Sequence, residues 1–131
     1  MVGFAVSRAD EQEWGISRTR PQYARTRVDL TTVLGLEQSR ARLWRYPPGA
    51  SGVPHVELVQ EEVFVVLAGT LTLVLGDPPE AQVMPAGSVA MVKPGTAIHV
   101  RNDGDELLAF FVCGAPPAAD AAETLPEPTL S

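Results

Sequence analysis

This sequence has only one cysteine, no long apolar run and no excess of positive charge. A single cysteine, Cys113, excludes an internal disulfide framework and any cysteine-based zinc site. It stands in the apolar run LLAFFVCG, so we interpret it as a buried structural thiol rather than a nucleophile. No stretch approaches the ~20 apolar residues of a membrane span, and the segment from Met1 to Trp14 lacks the basic start and apolar run of a signal peptide. We therefore expect a soluble cytoplasmic protein with no membrane association.

Basic residues are too few to suggest a nucleic-acid partner. The chain has 10 lysines and arginines against 16 aspartates and glutamates, so its net charge is 10 − 16 = −6, and no basic run is interleaved with aromatics. The arginines are nevertheless concentrated before residue 49, at Arg8, Arg18, Arg20, Arg25, Arg27, Arg40, Arg42 and Arg45. We expect these side chains to form a solvated surface and to contact an acidic partner subunit.

Glycine and proline, by contrast, are frequent and divide the chain into short β-type runs. The run from Arg40 to Tyr46 alternates, with Arg42 and Trp44 on the same face as Tyr46, and Pro47 ends it. Further short runs rich in β-branched residues follow, each closed by a turn. Many short strands without a convincing helical period predict an all-β fold, an antiparallel barrel or jelly roll.

The length of 131 residues predicts one domain with its own hydrophobic core. Periodicity is weak over residues 1–27, which we interpret as an irregular N-terminal arm with one short strand near Phe4. Residues 28–114 carry the strand pattern and are predicted to form the barrel. Residues 115–131 are rich in proline, alanine and acidic residues, so we expect a disordered and dispensable tail.

The side chains with coordinating atoms gather around one strand pair. His55 and Glu57 alternate and therefore share a face, and Glu62 opens the next strand. Imidazole and carboxylate groups on adjacent strands are a typical divalent-metal arrangement. Without a cation or another partner, burying these groups would be costly.

These residues lie in a stretch that resembles the first conserved motif of the cupins. That motif runs glycine, five residues, His-x-His, three or four residues, glutamate, six residues, glycine. Gly49, His55, Glu62 and Gly69 fall in register, and Glu57 stands in place of the second histidine. The resemblance extends over about residues 40 to 113 and implies a cupin double-stranded β-helix, a jelly-roll barrel.

A second stretch, GSVAMVKPGTAIHVRN, is similar to the second cupin motif. Gly87, Gly95 and Asn102 keep the family's spacing, but the position of the ligand histidine holds Ile98, followed by His99. The unchanged interval from Gly95 to Asn102 predicts that Ile98 points inward and that His99 is a surface residue. The alternative is a bulge that turns His99 inward.

The resemblance implies a site for iron, manganese or nickel built from three histidines and one glutamate. Only two histidines are present in the whole chain, so that set is impossible here. The candidate metal ligands are His55, Glu57, Glu62 and His99. We expect a weakly bound divalent metal (Fe, Mn, Ni or Zn), or none.

A ligand pocket is predicted on the face of the first long strand. Its candidate residues are Arg42, Trp44, Tyr46, Phe64 and Ile98. The aromatics suit apolar ligand contacts and Arg42 suits a carboxylate or phosphate. The alternative is that this face packs on the outside of the barrel.

Two functions follow as hypotheses. The first is a barrel that binds a small organic molecule beside a degenerate metal site, with catalysis unproven. The second is a metal-dependent enzyme of the oxygenase or isomerase type that acts on a small metabolite. The resemblance, together with the opposed charges of the arginine-rich first third and the acidic remainder, predicts a homodimer.

Overall fold

The computed structural model describes residues 3–17, 24–118 and 121–130. Within them lie a 3-10 turn at Ala9–Glu11 and one short helix, α1, at Leu30–Leu34. The strands are β1 (Gly15–Ser17), β2 (Arg25–Asp29), β3 (Arg40–Tyr46), β4 (His55–Glu57), β5 (Glu61–Ala68), β6 (Thr70–Leu75), β7 (Glu80–Pro85), β8 (Val89–Val92), β9 (Ala97–Arg101), β10 (Leu108–Ala115) and β11 (Ala122–Thr124). No described helix is long and apolar enough to cross a membrane.

The strands form two antiparallel sheets that face each other. The first has the order β1-β2-β3-β10-β5-β8 and the second the order β11-β4-β9-β6-β7. Strands distant in the sequence are neighbours in both sheets, as in a jelly roll. The predicted all-β jelly-roll architecture is confirmed, although the barrel is not closed.

The main core lies between the two sheets and follows the alternation of the strands. Its largest side chains are aromatic residues of the first sheet, and aliphatic residues of the second sheet pack against them: Trp44, Tyr46, Phe64 and Phe110, with Leu71, Leu73, Ile98 and Val100. The rings of Tyr46 and Phe110 lie 5.2 Å apart in an edge-to-face arrangement, a geometry worth about 0.5–1.5 kcal/mol beyond area burial.

A second apolar cluster lies on the other face of the first sheet. Val28, Leu30 and Ala41 are buried there beside α1, and Cys113 packs against them. Cys113 is a free thiol that is partly rather than fully buried. Because the side chains of β3 alternate, the strand contributes Ala41 to this cluster and Trp44 to the main core on the other face.

Asn102 locks the end of β9 to two other parts of the chain. Its amide nitrogen donates to the backbone carbonyls of Tyr46 and Glu106, each at 2.8 Å, and its amide oxygen accepts from the backbone N–H of Gly104 at 3.0 Å. The side chain is 1% exposed. Nearby, a side chain on Gly69, whose φ is +73°, would meet the backbone oxygen of Leu107 at 2.5 Å, which explains the glycine there.

The N-terminal arm contributes more regular structure than its sequence predicts. Phe4 lies outside any strand, but β1 and β2 pair with each other, and β2 continues the sheet beside β3. The predicted boundary at residue 27 thus falls inside β2. Long-range pairing with β3 explains this difference, because the weak periodicity of residues 1–27 does not specify a strand on its own.

The described part of the C-terminal segment also differs from the expected disordered tail. Strand β11 pairs with β4, placing Ala122 opposite Glu57 and Thr124 opposite His55. Two further backbone hydrogen bonds run from Leu125 N–H to the carbonyl of Pro54, at 2.9 Å, and from Leu58 N–H to the carbonyl of Ala121, at 2.7 Å. Pairing with the edge of β4 thus orders a segment whose composition alone predicts disorder.

Truncation after Ala115 is therefore expected to lower the melting temperature by several degrees. It removes the β11–β4 ladder, and each backbone hydrogen bond contributes about 0.5–1.5 kcal/mol net. A loss of ~2 kcal/mol corresponds to roughly 4–10 °C in a domain of this size. Calorimetry measures the shift, and a truncation after Leu125, which keeps β11, is the control. Equal melting temperatures for the full chain and the chain truncated after Ala115 would contradict the prediction.

Candidate metal and ligand site

A cavity of about 460 Å³ opens between the two sheets. One part of its wall carries the predicted metal ligands His55, Glu57 and Glu62. The rest is lined by arginines and aromatics, namely Arg25, Arg27, Arg40, Arg42, Trp44, Tyr46, Phe64 and Phe110. The site thus combines acidic, basic and apolar surfaces within one small volume.

His55 is held in place by the backbone on one side and faces two carboxylates on the other. Its Nδ1 lies 3.0 Å from the carbonyl oxygen of Val53, so Nδ1 carries a proton and donates it. Its Nε2 lies 3.1 Å from Glu57 Oε2 and 4.0 Å from Glu62 Oε1. A neutral ring has no second proton, so this geometry requires a proton on Nε2, a proton on the facing carboxyl, or a cation between them.

The electrostatics of the three groups favour the same conclusion. Burial and the neighbouring charge of Glu57 raise the pKa of Glu62 to about 7, against the opposing effects of His55, Arg40 and Arg42. Burial lowers the pKa of His55, but the hydrogen bond to Glu57 and the carboxylate charges outweigh it, so the pKa is raised overall. Without a cation, protons are therefore held here near neutral pH.

The three side chains fit a divalent metal. One ligand atom from each of His55, Glu57 and Glu62 can be chosen so that all lie within 4.8 Å of one another. Glu62 Oε1 is buried and has no hydrogen-bond partner among the described residues, a condition that a cation would relieve. His55 Nε2 and the two carboxylates would hold the ion, and the Nδ1 contact fixes the ring orientation as in known metal sites. A metal there would supply Lewis acidity and a point of attachment for a ligand oxygen.

Ile98 occupies the position beside this group. It is the Cα partner of His55 across β4 and β9, so the two side chains share a face. Ile98 is 2% exposed and belongs to the main core. An alkyl group thus stands where another nitrogen ligand could complete the coordination.

His99 lies on the opposite face of β9, away from the three ligands. The prediction of a surface histidine is wrong, because His99 is 6% exposed. It lines a separate cavity of about 210 Å³ with the loop 49–51, Arg101, Asp103 and the tail residues Glu127 and Pro128. Burial and then the charge of Arg101 lower the pKa of His99. The structure does not bring His99 to the candidate metal site.

The predicted ligand-binding face of β3 points into the cavity. Trp44 and Tyr46 belong to the main core and, together with Arg42 and Phe64, line the cavity wall. The alternative, packing on the outer face of the barrel, is wrong, because that face carries Ala41 and the second cluster.

Sequence reasoning missed a buried arginine from the arm. Arg25 is 7% exposed, and its Nη1 donates to the hydroxyl of Tyr46 at 3.0 Å. Its guanidinium lies 4.8 Å from the centre of the Trp44 ring. Gly52 leaves room for this contact, since a Cβ there would lie 2.8 Å from the Tyr46 hydroxyl. The alternation of Arg25 and Arg27 in RTRVD was the available signal, although it needs the pairing with β3 to be interpreted.

Comparison with known proteins agrees with the fold and the motifs. The family model of the cupin domain matches residues 42–114. The chain belongs to the cupin family. No curated protein sequence matches this cupin significantly.

Several solved structures are similar to this cupin. The polyketide cyclase RemF from Streptomyces resistomycificus has a TM-score of 0.77 and 18% identity, over 97% of this chain and 87% of that one. A sugar phosphate isomerase of the cupin superfamily from Silicibacter pomeroyi has a TM-score of 0.74 and 25% identity, over 86% and 76%. A predicted oxalate decarboxylase from Thermotoga maritima has a TM-score of 0.74 and 17% identity, over 86% and 100%. These structures are named for different reactions, so their similarity supports the fold of this cupin and no single reaction.

Proposed function

We propose that this cupin binds a small organic molecule in the cavity between its sheets, beside a weak divalent-metal site. The observation that carries the proposal is the convergence of His55, Glu57 and Glu62 on a cavity that also has aromatic walls. Its volume of about 460 Å³ is that of a small-molecule pocket. The core aromatics offer apolar contacts, and His55, Glu57 and Glu62 offer polar ones.

Metal binding is expected to be weak and to depend on pH. Two carboxylates and one imidazole form a hard, incomplete ligand set beside Ile98. Binding must displace the protons near His55 Nε2 and on Glu62. A carboxyl with a pKa of about 7 is about one-tenth ionised at pH 6, so affinity should rise roughly tenfold between pH 6 and pH 8.

Titration of Mn²⁺ and Zn²⁺ into chelator-treated protein measures this dependence. Glu62→Gln should abolish both the binding and its pH dependence. Glu61→Gln is the matched control, because Glu61 is the exposed neighbour of Glu62 on β5. One tightly bound metal per chain in untreated protein, or an affinity independent of pH, would contradict the prediction.

Ligand binding is tested with a variant that fills the cavity. Val112 lines the cavity on β10, so Val112→Trp should occlude it, whereas Phe111→Trp changes the opposite face of the same strand. Untagged proteins are equilibrated with a metabolite extract, and retained compounds are identified by mass spectrometry. The wild type and Phe111→Trp should retain a compound that Val112→Trp does not. Retention of nothing, or equal retention by all three proteins, would overturn the proposal.

A second candidate is a metal-dependent cupin enzyme of the oxygenase or isomerase type. The preserved group of His55, Glu57 and Glu62 supports it, as do the enzyme names of the similar structures. Chemical change of the retained compound with added metal, and not with chelator, would establish this activity.

We also propose a homodimer. Val89 and Met91 are 64% and 51% exposed on β8, the outermost strand of the first sheet. Such apolar side chains on an edge strand suit contact with a second subunit.

A further inference from the structure

Three arginines with side chains directed into the cavity form no ion pair in the described chain. Arg27 of β2 and both Arg40 and Arg42 of β3 line the cavity and are half-buried. None of the three guanidinium groups makes an ion pair or a hydrogen bond with any residue in the described ranges. Arg27 does lie over the ring of Trp44, with 5.6 Å between the guanidinium carbon and the ring centre.

The three charges are close enough to act on one another. Burial lowers the pKa of Arg42, and the charges of Arg27 and Arg40 lower it further, against the smaller opposing effects of Asp29 and Glu62. Asp29 is the Cα partner of Arg42 across β2 and β3, yet it forms no ion pair with it. Placing like charges together in a partly desolvated cavity is unfavourable unless an anion joins them.

The charge of Glu62 acts on Arg40 and Arg42, but neither carboxylate of the candidate metal group neutralises an arginine by direct contact. Glu57 and Glu62 face His55, and among described residues they make no ion pair with an arginine. The cavity wall therefore carries two polar groups of different character: a carboxylate–imidazole group that attracts a cation, and an arginine group that attracts an anion. Aromatic side chains, among them Trp44 and Phe64, lie in the same wall.

We propose that the ligand of this cavity is an organic anion whose carboxylate or phosphate group binds Arg27, Arg40 and Arg42. This inference rests on the proposed small-molecule function and specifies the chemical class of its ligand. Guanidinium groups bind both oxyanions with paired hydrogen bonds. The ring or chain that bears the anionic group packs on the aromatic wall, and the far end of the ligand reaches the group of His55, Glu57 and Glu62.

Calorimetric titration with benzoate, its neutral counterpart benzamide, and inorganic phosphate tests the proposal. Chelator is present throughout, so that binding through a metal is excluded. Arg42→Gln removes one charge from the cavity. Arg45→Gln is the matched control, because Arg45 lies on the same strand but points outward, with its guanidinium carbon 3.9 Å from the centre of the Trp14 ring.

The wild type should bind benzoate, phosphate or both, and benzamide at least ~10-fold more weakly. Arg42→Gln should weaken anion binding about 10- to 100-fold, the value of a charge-assisted contact, while Arg45→Gln leaves it unchanged. Binding of benzoate alone assigns the site to carboxylates, and binding of phosphate alone to phosphates. The melting temperature of ligand-free Arg42→Gln should equal or exceed that of the wild type, because the substitution relieves repulsion.

Three results would overturn the inference. They are equal affinity for benzoate and benzamide, equal anion affinity in the wild type and Arg42→Gln, and no binding of either anion. In each case the proposed small-molecule function is still judged separately, by the retention experiment with Val112→Trp. Failure of that experiment with intact anion binding would instead limit the cavity to simple oxyanions.

Discussion

The double substitution Glu57→His and Ile98→His should convert the proposed weak metal site into a tight one. Ile98 faces the same side as its cross-strand partner His55, so a histidine at residue 98 would place a third imidazole beside the other two imidazoles and Glu62. Four-ligand structural zinc sites bind with about 10–16 kcal/mol, or roughly 3 kcal/mol per ligand. Each added imidazole therefore corresponds to about 10²-fold in affinity, and the gain should be largest for Zn²⁺ and Ni²⁺.

The single variants separate the two contributions. Ile98→His alone adds a ligand, and Glu57→His alone exchanges oxygen for nitrogen. Because Ile98 is buried in the core, its replacement should cost the metal-free protein about 2–4 kcal/mol. Zinc at a thousand times its dissociation constant restores about 4 kcal/mol. Competition titration with a chromophoric chelator and melting curves with and without zinc measure both effects. Wild-type affinity equal to that of the double variant would show that Ile98 is not what weakens the site.

Asn102→Asp should destabilise the protein strongly at neutral pH. The substitution keeps the shape of the side chain but places a carboxylate oxygen 2.8 Å from two backbone carbonyl oxygens. Both carbonyls lose their donor, and the new charge is buried in a position that is 1% exposed. Unpaired buried groups cost about 1–3 kcal/mol each, and more for a charge, so we expect a loss of at least ~4 kcal/mol.

Acid should partly reverse the loss, because a protonated carboxyl can donate to one of the two carbonyls. Urea unfolding at pH 7 and at pH 4 measures the difference. Asp103→Asn is the control: Asp103 is exposed and pairs with Arg101, with Oδ2 2.6 Å from Nη2. An exposed pair contributes about 0–1 kcal/mol. A loss in Asn102→Asp no greater than in this control would contradict the structural role of Asn102.

The parts of the fold that were predictable have local causes. Alternation in Arg40–Tyr46 indicated which side chains of β3 share a face, since side chains of a strand alternate, but not whether that face lines the cavity. The interval between Gly95 and Asn102 indicated that Ile98 points inward, since any insertion would have changed it. The candidate metal ligands His55 and Glu57 share a face because they alternate on one strand.

The remainder depends on contacts between distant segments. Nothing in the composition of the tail shows that the edge of β4 can accept a strand, so β11 could not be anticipated. The burial of His99 depends on the loop 49–51 and the same tail. The arginine group of the cavity requires β2 to pair with β3 in a register that places Arg27 opposite Trp44.

Strand β11 has a consequence for the kinetics of binding. It contributes Ala122 and Thr124 to the cavity wall, yet it is three residues long, exposed throughout and paired only with β4. Segments with so few buried contacts open at a free energy far below that of global unfolding. Detachment of β11 would widen the mouth of the cavity while the core stays folded. We therefore expect the tail to govern the rates at which the proposed ligand enters and leaves, and the cavity residues behind β11 to govern its affinity.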